Sequence, residues 1–359
     1  MAEFICSDQD ELYRQVRLAV IQKLDCWNEK DDPEFFSAFQ ICQQLASENY
    51  GKAYFLLSRL YDYKQDSEEG QDRARYFEKM AFDWSCANQA NNDVELWCDL
   101  CEMYKDGRGV AQNEGQAMAY ARKAAEQGDA VGQRRLGWMY HTGCGVVQDY
   151  VEAGVWFRKA AEQGDVRAQY NLGSIYYNGQ GVKRNCKLSA KWYRLAAEQG
   201  NAAAQFILGA MLKLGGKVSQ DYDEAMKWYR LAAEQGDVDA QFYLGVEFEL
   251  GKIVTQDYDE AMKWYRLAAD QGNANAQNYI AHMYSGGRGV EQNGAEALKW
   301  FRLAAEQGID DAQYTLGVMY FIGEDVPQDH EAAAMWLRKA ADQGYAEAKA
   351  SIRKFSFDN

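Results

Sequence analysis

AAEQGDVDAQFYLG, residues 232–245, closes one helix and opens the next. Gly236 permits the left-handed turn that ends a helix, and Asp237 can accept the free amides that start another. The same glycine returns at Gly128, Gly164, Gly200, Gly272, Gly308 and Gly344, each 36 residues from its neighbour. Asp or Asn follows it at Asp129, Asp165, Asn201, Asp237 and Asn273, and the pattern lapses at Ile309 and Tyr345. A constant period of this length, without insertion or deletion, reads as a stack of helical hairpins.

Outward from the glycine, the first helix of each unit (helix A) carries Leu-Gly at its eighth and ninth positions, as in Leu172-Gly173 and Leu244-Gly245. A large apolar residue follows at the twelfth: Tyr140, Tyr176, Leu212, Phe248, Tyr284 or Tyr320. These positions share one side of a helix at 100° per residue, and that side should pack inside its own hairpin. The ninth residue, glycine except for Ala281, should let the partner helix come close. A glycine-rich loop then appears as GRGV, GCGV or GQGV and erodes to GGKV, GKIV and GEDV. We read it as a connector and not a phosphate cradle, since no strand precedes it and no lysine-hydroxyl pair follows.

Helix B opens on Asn113, Asp149, Asn185, Asp221, Asp257, Asn293 or Asp329, all strong N-cap types. A large aromatic lies seven residues on, from Tyr120 to Trp336, and is expected to give the largest burial per unit. Every helix B also carries an arginine, from Arg122 to Arg338, with an acid four residues later. We read this as an i,i+4 pair or a contact between units in preference to a ligand-binding arginine ladder.

The formal charge is −15, from 54 acidic and 39 basic residues, and no basic stripe of the kind that tracks nucleic acid is visible. Residues 1–93 hold 18 acids and 10 bases, more than half of the acidic excess. The opening MAEFICSDQDELYRQ lacks the charged and apolar regions of an export signal, and no run approaches the ~18 apolar residues of a membrane helix. The eight cysteines do not follow the period, which argues against a repeated disulfide framework. A reducing, cytoplasmic setting is the expectation.

The unit (A/N)-x-A-Q-x-x-L-G-x-M-Y-x-x-G-x-G-V-x-x-D-Y-x-x-A-x-x-W-Y-R-x-A-A-E-Q-G resembles the Sel1-like repeat, a relative of the tetratricopeptide repeat, from about residue 94 to 350. The resemblance implies an all-α, right-handed α/α superhelical solenoid that serves as an adaptor or scaffold, often in bacteria. One secreted, disulfide-rich subgroup is associated with β-lactams, but it pairs cysteines in each repeat. Here only Cys144 and Cys186 fall within the regular array beyond residue 110, so that activity is not transferred. The expected organisation is a divergent helical cap with one degenerate repeat over 1–93, seven repeats over 94–345, and a capping helix and tail over 346–359. The cap should hold helices near 8–28 and 34–48, with AYFLLSRLY at 53–61 as a degenerate helix A.

Helix-A positions three, six, ten and thirteen lie opposite the packed side and should line a concave surface. They hold Arg134, Trp138, His141, Tyr170, Tyr177, Phe206, Lys213, Phe242, Glu249, Asn278, His282, Tyr314 and Phe321. Four aromatics at the sixth position suit a peptide- or helix-binding groove, the alternative being that these rings pack between units. No catalytic set emerges. The only histidines, His141, His282 and His330, are scattered. Cys98-x-x-Cys101, with Cys86 nearby, lacks the second pair of a zinc site. The expectation is a non-enzymatic protein-binding scaffold with a protein or peptide partner, no cofactor, no metal, no nucleic acid and no membrane insertion. An immunity protein that neutralises a toxin or effector is the alternative, and a β-lactam or ester hydrolase a distant one.

Overall fold

The computed structural model describes residues 9–23, 33–64, 68–88, 93–323 and 326–355. Helices account for all regular structure among the described residues, and the chain divides into two compact units, 1–201 and 202–359. The first holds α1 (Gln9–Lys23), α2 (Pro33–Ser47), α3 (Lys52–Lys64), α4 (Glu68–Asn88), α5 (Val94–Asp106), α6 (Glu114–Glu126), α7 (Ala130–Thr142), α8 (Tyr150–Glu162), α9 (Val166–Asn178) and α10 (Cys186–Glu198). The second holds α11 (Ala202–Leu214), α12 (Tyr222–Glu234), α13 (Val238–Leu250), α14 (Tyr258–Asp270), α15 (Ala274–Gly286), α16 (Gly294–Glu306), α17 (Asp310–Ile322), α18 (His330–Asp342) and α19 (Ala346–Lys354). From α5 onward odd helices are A and even helices are B, and within each unit every helix packs on the next. Each unit is thus a stack of helical hairpins, the all-α repeat architecture that the period implies.

The caps sit where the spacing puts them. Asp149, Asp221, Asp257 and Asp329 each accept from amides two or three residues ahead, and Asp165 and Asp237 do the same for α9 and α13. Ile309 and Tyr345 stand at the cap position without a side-chain bond.

One expectation for helix B is corrected and another is narrowed. In five of the hairpins the fully buried ring inside is the residue after the tryptophan, Phe157, Tyr193, Tyr229, Tyr265 or Phe301; Leu337 takes its place in the last hairpin and Ala121 in the first. It lies against the helix-A glycine, where a Cβ on Gly173 would come within 2.9 Å of the Tyr193 ring and one on Gly245 within 2.5 Å of Tyr265. The tryptophans instead pack at the junction between the preceding helix B and their own helix A: Trp192 on the Phe157–Tyr176 cluster of α8 and α9, and Trp264 with Tyr229 of α12 and Leu244 of α13. The arginine makes the contact between hairpins that was one of the two readings of its position. Its guanidinium reaches the helix-A tyrosine hydroxyl of the following hairpin, as Arg122 to Tyr140 at 3.1 Å, Arg266 to Tyr284 at 2.7 Å and Arg302 to Tyr320 at 2.6 Å, with Arg158 and Tyr176 paired likewise.

Glutamines stitch the hairpins together. The buried Gln241 donates to the Ala233 carbonyl at the end of the preceding helix B, and accepts from Gln271 at the end of its own, at 3.1 and 2.9 Å. Gln169, Gln277 and Gln313 repeat both bonds. The loop glycines also serve the stack. A Cβ on Gly181 (φ +65°) would lie 2.6 Å from the Tyr150 backbone, at the start of the preceding helix B.

At the amino-terminal end α1 to α4 share one core built on Tyr13, Val16, Phe35, Leu57 and Leu60. Of the helix expected near 8–28, residues 8 and 24–28 lie outside the described residues. At the other end α19 packs through Ala348, Ile352 and Phe355 on Leu337 and Ala340.

Candidate functional site

In the first unit, α1, α3, α5, α7 and α9 turn one face each toward an open cavity of about 720 Å³. The odd helices meet there because their packed side is committed to helix B, which leaves the sixth, seventh and tenth positions facing the space. Of the expected stripe, Arg134, Trp138 and Tyr170 line the cavity. His141 and Tyr177 lie outside that lining. His141 is 3.4 Å from the Gln180 amide oxygen and edge-on to Tyr150, and Tyr177 is exposed beneath the Arg184 guanidinium.

The lining is basic in an acidic chain, with seven Arg and Lys side chains against five Asp and Glu. Its floor is an ion-pair network. Glu102 of α5 is held by Arg59 of α3 at 2.7 Å and by Arg135 of α7 at 2.5 Å. Burial would raise the Glu102 carboxyl, but the two guanidiniums override it and hold it at about 2. Arg135 Nε is buried without a partner. Beside it Arg17 of α1 makes a two-pronged pair with Asp99 at 2.7 and 2.9 Å and donates to Tyr13 at 2.6 Å. Arg134 reaches Asp165 at 3.0 Å, and Lys105 lies 5.0 Å from the centre of the Trp138 ring. Trp138 itself is 38% exposed, and Tyr170 stands edge-on to the buried Tyr193.

The stripe differs in the second unit. Phe206 and Phe242 are half-buried, each against the helix-B ring of its own hairpin (Tyr229 or Tyr265) and the next helix A (Tyr243 or Tyr279), with centroids 5.4–6.0 Å apart. Here the rings pack between hairpins, the alternative weighed from the sequence. Glu249 and Asn278 leave the exposed stripe altogether, because both are buried. Glu249 accepts from Tyr265 at 2.7 Å and Arg288 at 2.6 Å, and Asn278 donates to Asp311 at 3.0 Å. His282 meets the same carboxylate at 2.7 Å, and these bonds pull Asp311 well below the usual carboxylate range. Lys213 pairs with buried Glu247, Tyr314 rests on Tyr345, and Phe321 stacks on Phe355.

Arg17, Arg59, Asp99, Glu102 and Arg135 were not among the residues expected at a site. The seventh helix-A position offered a signal: it reads Arg135 and Asn171 early but Ile207, Tyr243 and Tyr279 later. Cys98 and Cys101 are buried thiols pushed above their ordinary value by burial, and no three His, Cys, Asp or Glu side chains among the described residues are grouped to hold a metal. No helix among them is long and apolar enough to cross a membrane.

Hairpins of one length, stitched end to end and facing solvent through the side chains that vary between them, define a tandem-repeat protein of the helical solenoid class. The Sel1 repeat model matches seven consecutive segments, 98–129, 130–165, 166–201, 202–237, 238–273, 274–309 and 310–345, and the chain belongs to that family. Such repeats generally mediate contacts between proteins. A protective antigen of uropathogenic Escherichia coli strains is 30% identical over 97% of this chain and 82% of its own, with a TM-score of 0.56. A Sel1 repeat protein from Oxalobacter formigenes is 33% identical over 67% of this chain and 94% of its own, with a TM-score of 0.59. No curated protein matches the chain.

Proposed function

We propose that this chain is a non-enzymatic scaffold that binds a protein partner, and that the cavity of its first unit is the main contact. The carrying observation is that Arg134, Trp138 and Tyr170, residues free to differ from repeat to repeat, come together in one open space. A residue that served only the stack would be the same in every hairpin. The sixth and tenth positions are not, and here they present an indole, a phenol and a guanidinium, side chains that dominate protein interfaces. The acidity of the chain permits an immunity or inhibitor role, but no residue selects it, so the reading stays at protein binding.

Affinity capture from the native cell, with mass spectrometry, tests this. The wild-type chain should recover a stoichiometric protein, and a Trp138→Ser, Tyr170→Ser variant should lose it while keeping its helical circular dichroism. Capture undiminished by both changes would move the contact elsewhere. A purified chain that turned over an ester or β-lactam, and lost that activity with one side chain, would replace the scaffold reading with an enzymatic one.

A further inference from the structure

Resting on the protein-binding reading, we infer that the first unit's cavity takes an acidic peptide segment, with carboxylates set among its arginines and an apolar or aromatic side chain against Trp138. Three observations lead there. The lining reverses the balance of the chain: bases outnumber acids in the cavity, whereas acids outnumber bases in the whole sequence. At its floor two guanidiniums, Arg59 and Arg135, share the single carboxylate of Glu102. One carboxylate neutralises one guanidinium, so this trio keeps a positive charge, and a charge removed from water favours an incoming anion. Finally, the Nε of Arg135 is buried and unbonded, a donor already desolvated and without an acceptor.

The apolar part of the lining argues for a peptide over a free inorganic anion. Trp138, Tyr170, Phe55 and Val131 border the same space as the arginines. A lone phosphate would leave those surfaces wet, while a chain of alternating carboxylates and apolar side chains would use both. A volume of about 720 Å³ is within the range of sites that hold ligands well beyond a single ion. Guanidinium forks suit carboxylates in pairs of parallel hydrogen bonds. The acidic surface elsewhere on the chain would repel the same peptide, which confines it to this cavity.

A random twelve-residue peptide library displayed on phage and panned against the full-length protein provides the test. The selected peptides should carry an excess of Asp and Glu with at least one aromatic or large aliphatic residue. Synthesised with a fluorescent label, they should bind the wild-type chain, bind Arg14→Glu, Arg167→Glu at least about tenfold more weakly, and lose most of their affinity in about 1 M salt, where charges are screened beyond about 3 Å. Both changed arginines border the cavity with exposed side chains, so the fold should stand, and circular dichroism checks it. Inorganic phosphate should not compete at millimolar concentration. Selected peptides without acidic excess, acidic peptides indifferent to the double change, or full displacement by phosphate would each overturn the inference while leaving a protein-binding role intact. A library that yields no binder would count against both.

Discussion

Glu102 shows how one side chain can set the character of the first unit. It joins three elements that are far apart in sequence, because Arg59 belongs to α3, Glu102 to α5 and Arg135 to α7. Truncating one partner of such a network is costly, since the remaining charges stay buried. The linkage has a definite sign. An ordinary glutamate has the 4.5 of the unfolded chain and Glu102 in the fold has about 2. Its contribution is therefore complete above pH 4.5 and disappears as pH falls from 4.5 toward 2. A shift of that size corresponds to about 3 kcal/mol. Urea unfolding at pH 5 and at pH 3 should show the wild type losing more stability than Glu102→Gln across that interval. Equal losses would mean that the network does not hold the carboxyl ionised. Little of this was legible beforehand. Charged residues on a helix are usually solvated, and only the packing of α1 and α3, which do not follow the 36-residue period, turns these inward.

At the scale of the helix pair, the division of labour between neighbouring aromatics was the part of the fold least visible in the sequence. The W-Y/F pair of helix B announces burial, but the period alone does not say which member faces its own hairpin. The glycine of helix A settles it, since only the second ring lies close enough for a Cβ at Gly173 or Gly245 to collide with it. The tryptophan is then left to cover the junction with the hairpin before. Trp300 is half-buried against the Tyr265–Met283 cluster, while Phe301 is fully buried inside its own hairpin. Phe301→Ala should accordingly cost about 3–5 kcal/mol, as a large-to-small change in a closed core. Trp300→Ala should cost clearly less, because solvent already reaches its ring. Thermal midpoints of the two variants decide this, and a tryptophan variant that melts first would reverse the assignment. The glutamine stitch was equally hidden: the counterparts of Gln241 and Gln271 recur from Gln133 and Gln163 onward, yet a fixed spacing does not reveal a bond from one hairpin to the end of the last.

For the molecule as a whole, the period made the architecture readable and the site nearly unreadable, for one reason. What repeats serves the stack, and what binds must differ. Hairpin boundaries, caps and loops follow from residues common to every copy, and the structure places them accordingly. The cavity depends on residues that occur once, including Arg17 and Arg59 from helices outside the regular array. The same logic predicts how the chain responds to losing a copy. Stability in such a stack is close to a sum of hairpin terms and nearest-neighbour terms. Deleting residues 238–273 removes α13 and α14 and brings the end of α12 to the start of α15. The new junction can rebuild the old one, since Gln277 can donate to the Ala233 carbonyl as Gln241 did, and Asn273 is replaced by nothing worse than Asp237 as the cap. Some chemistry particular to the copy is lost, including the bond that Arg288 donates to Glu249. The shortened chain should therefore fold with unchanged helicity per residue and melt at a lower temperature, as circular dichroism would record. A marked fall in helicity per residue would show that the copies are not interchangeable, and that the second unit depends on contacts reaching beyond adjacent hairpins.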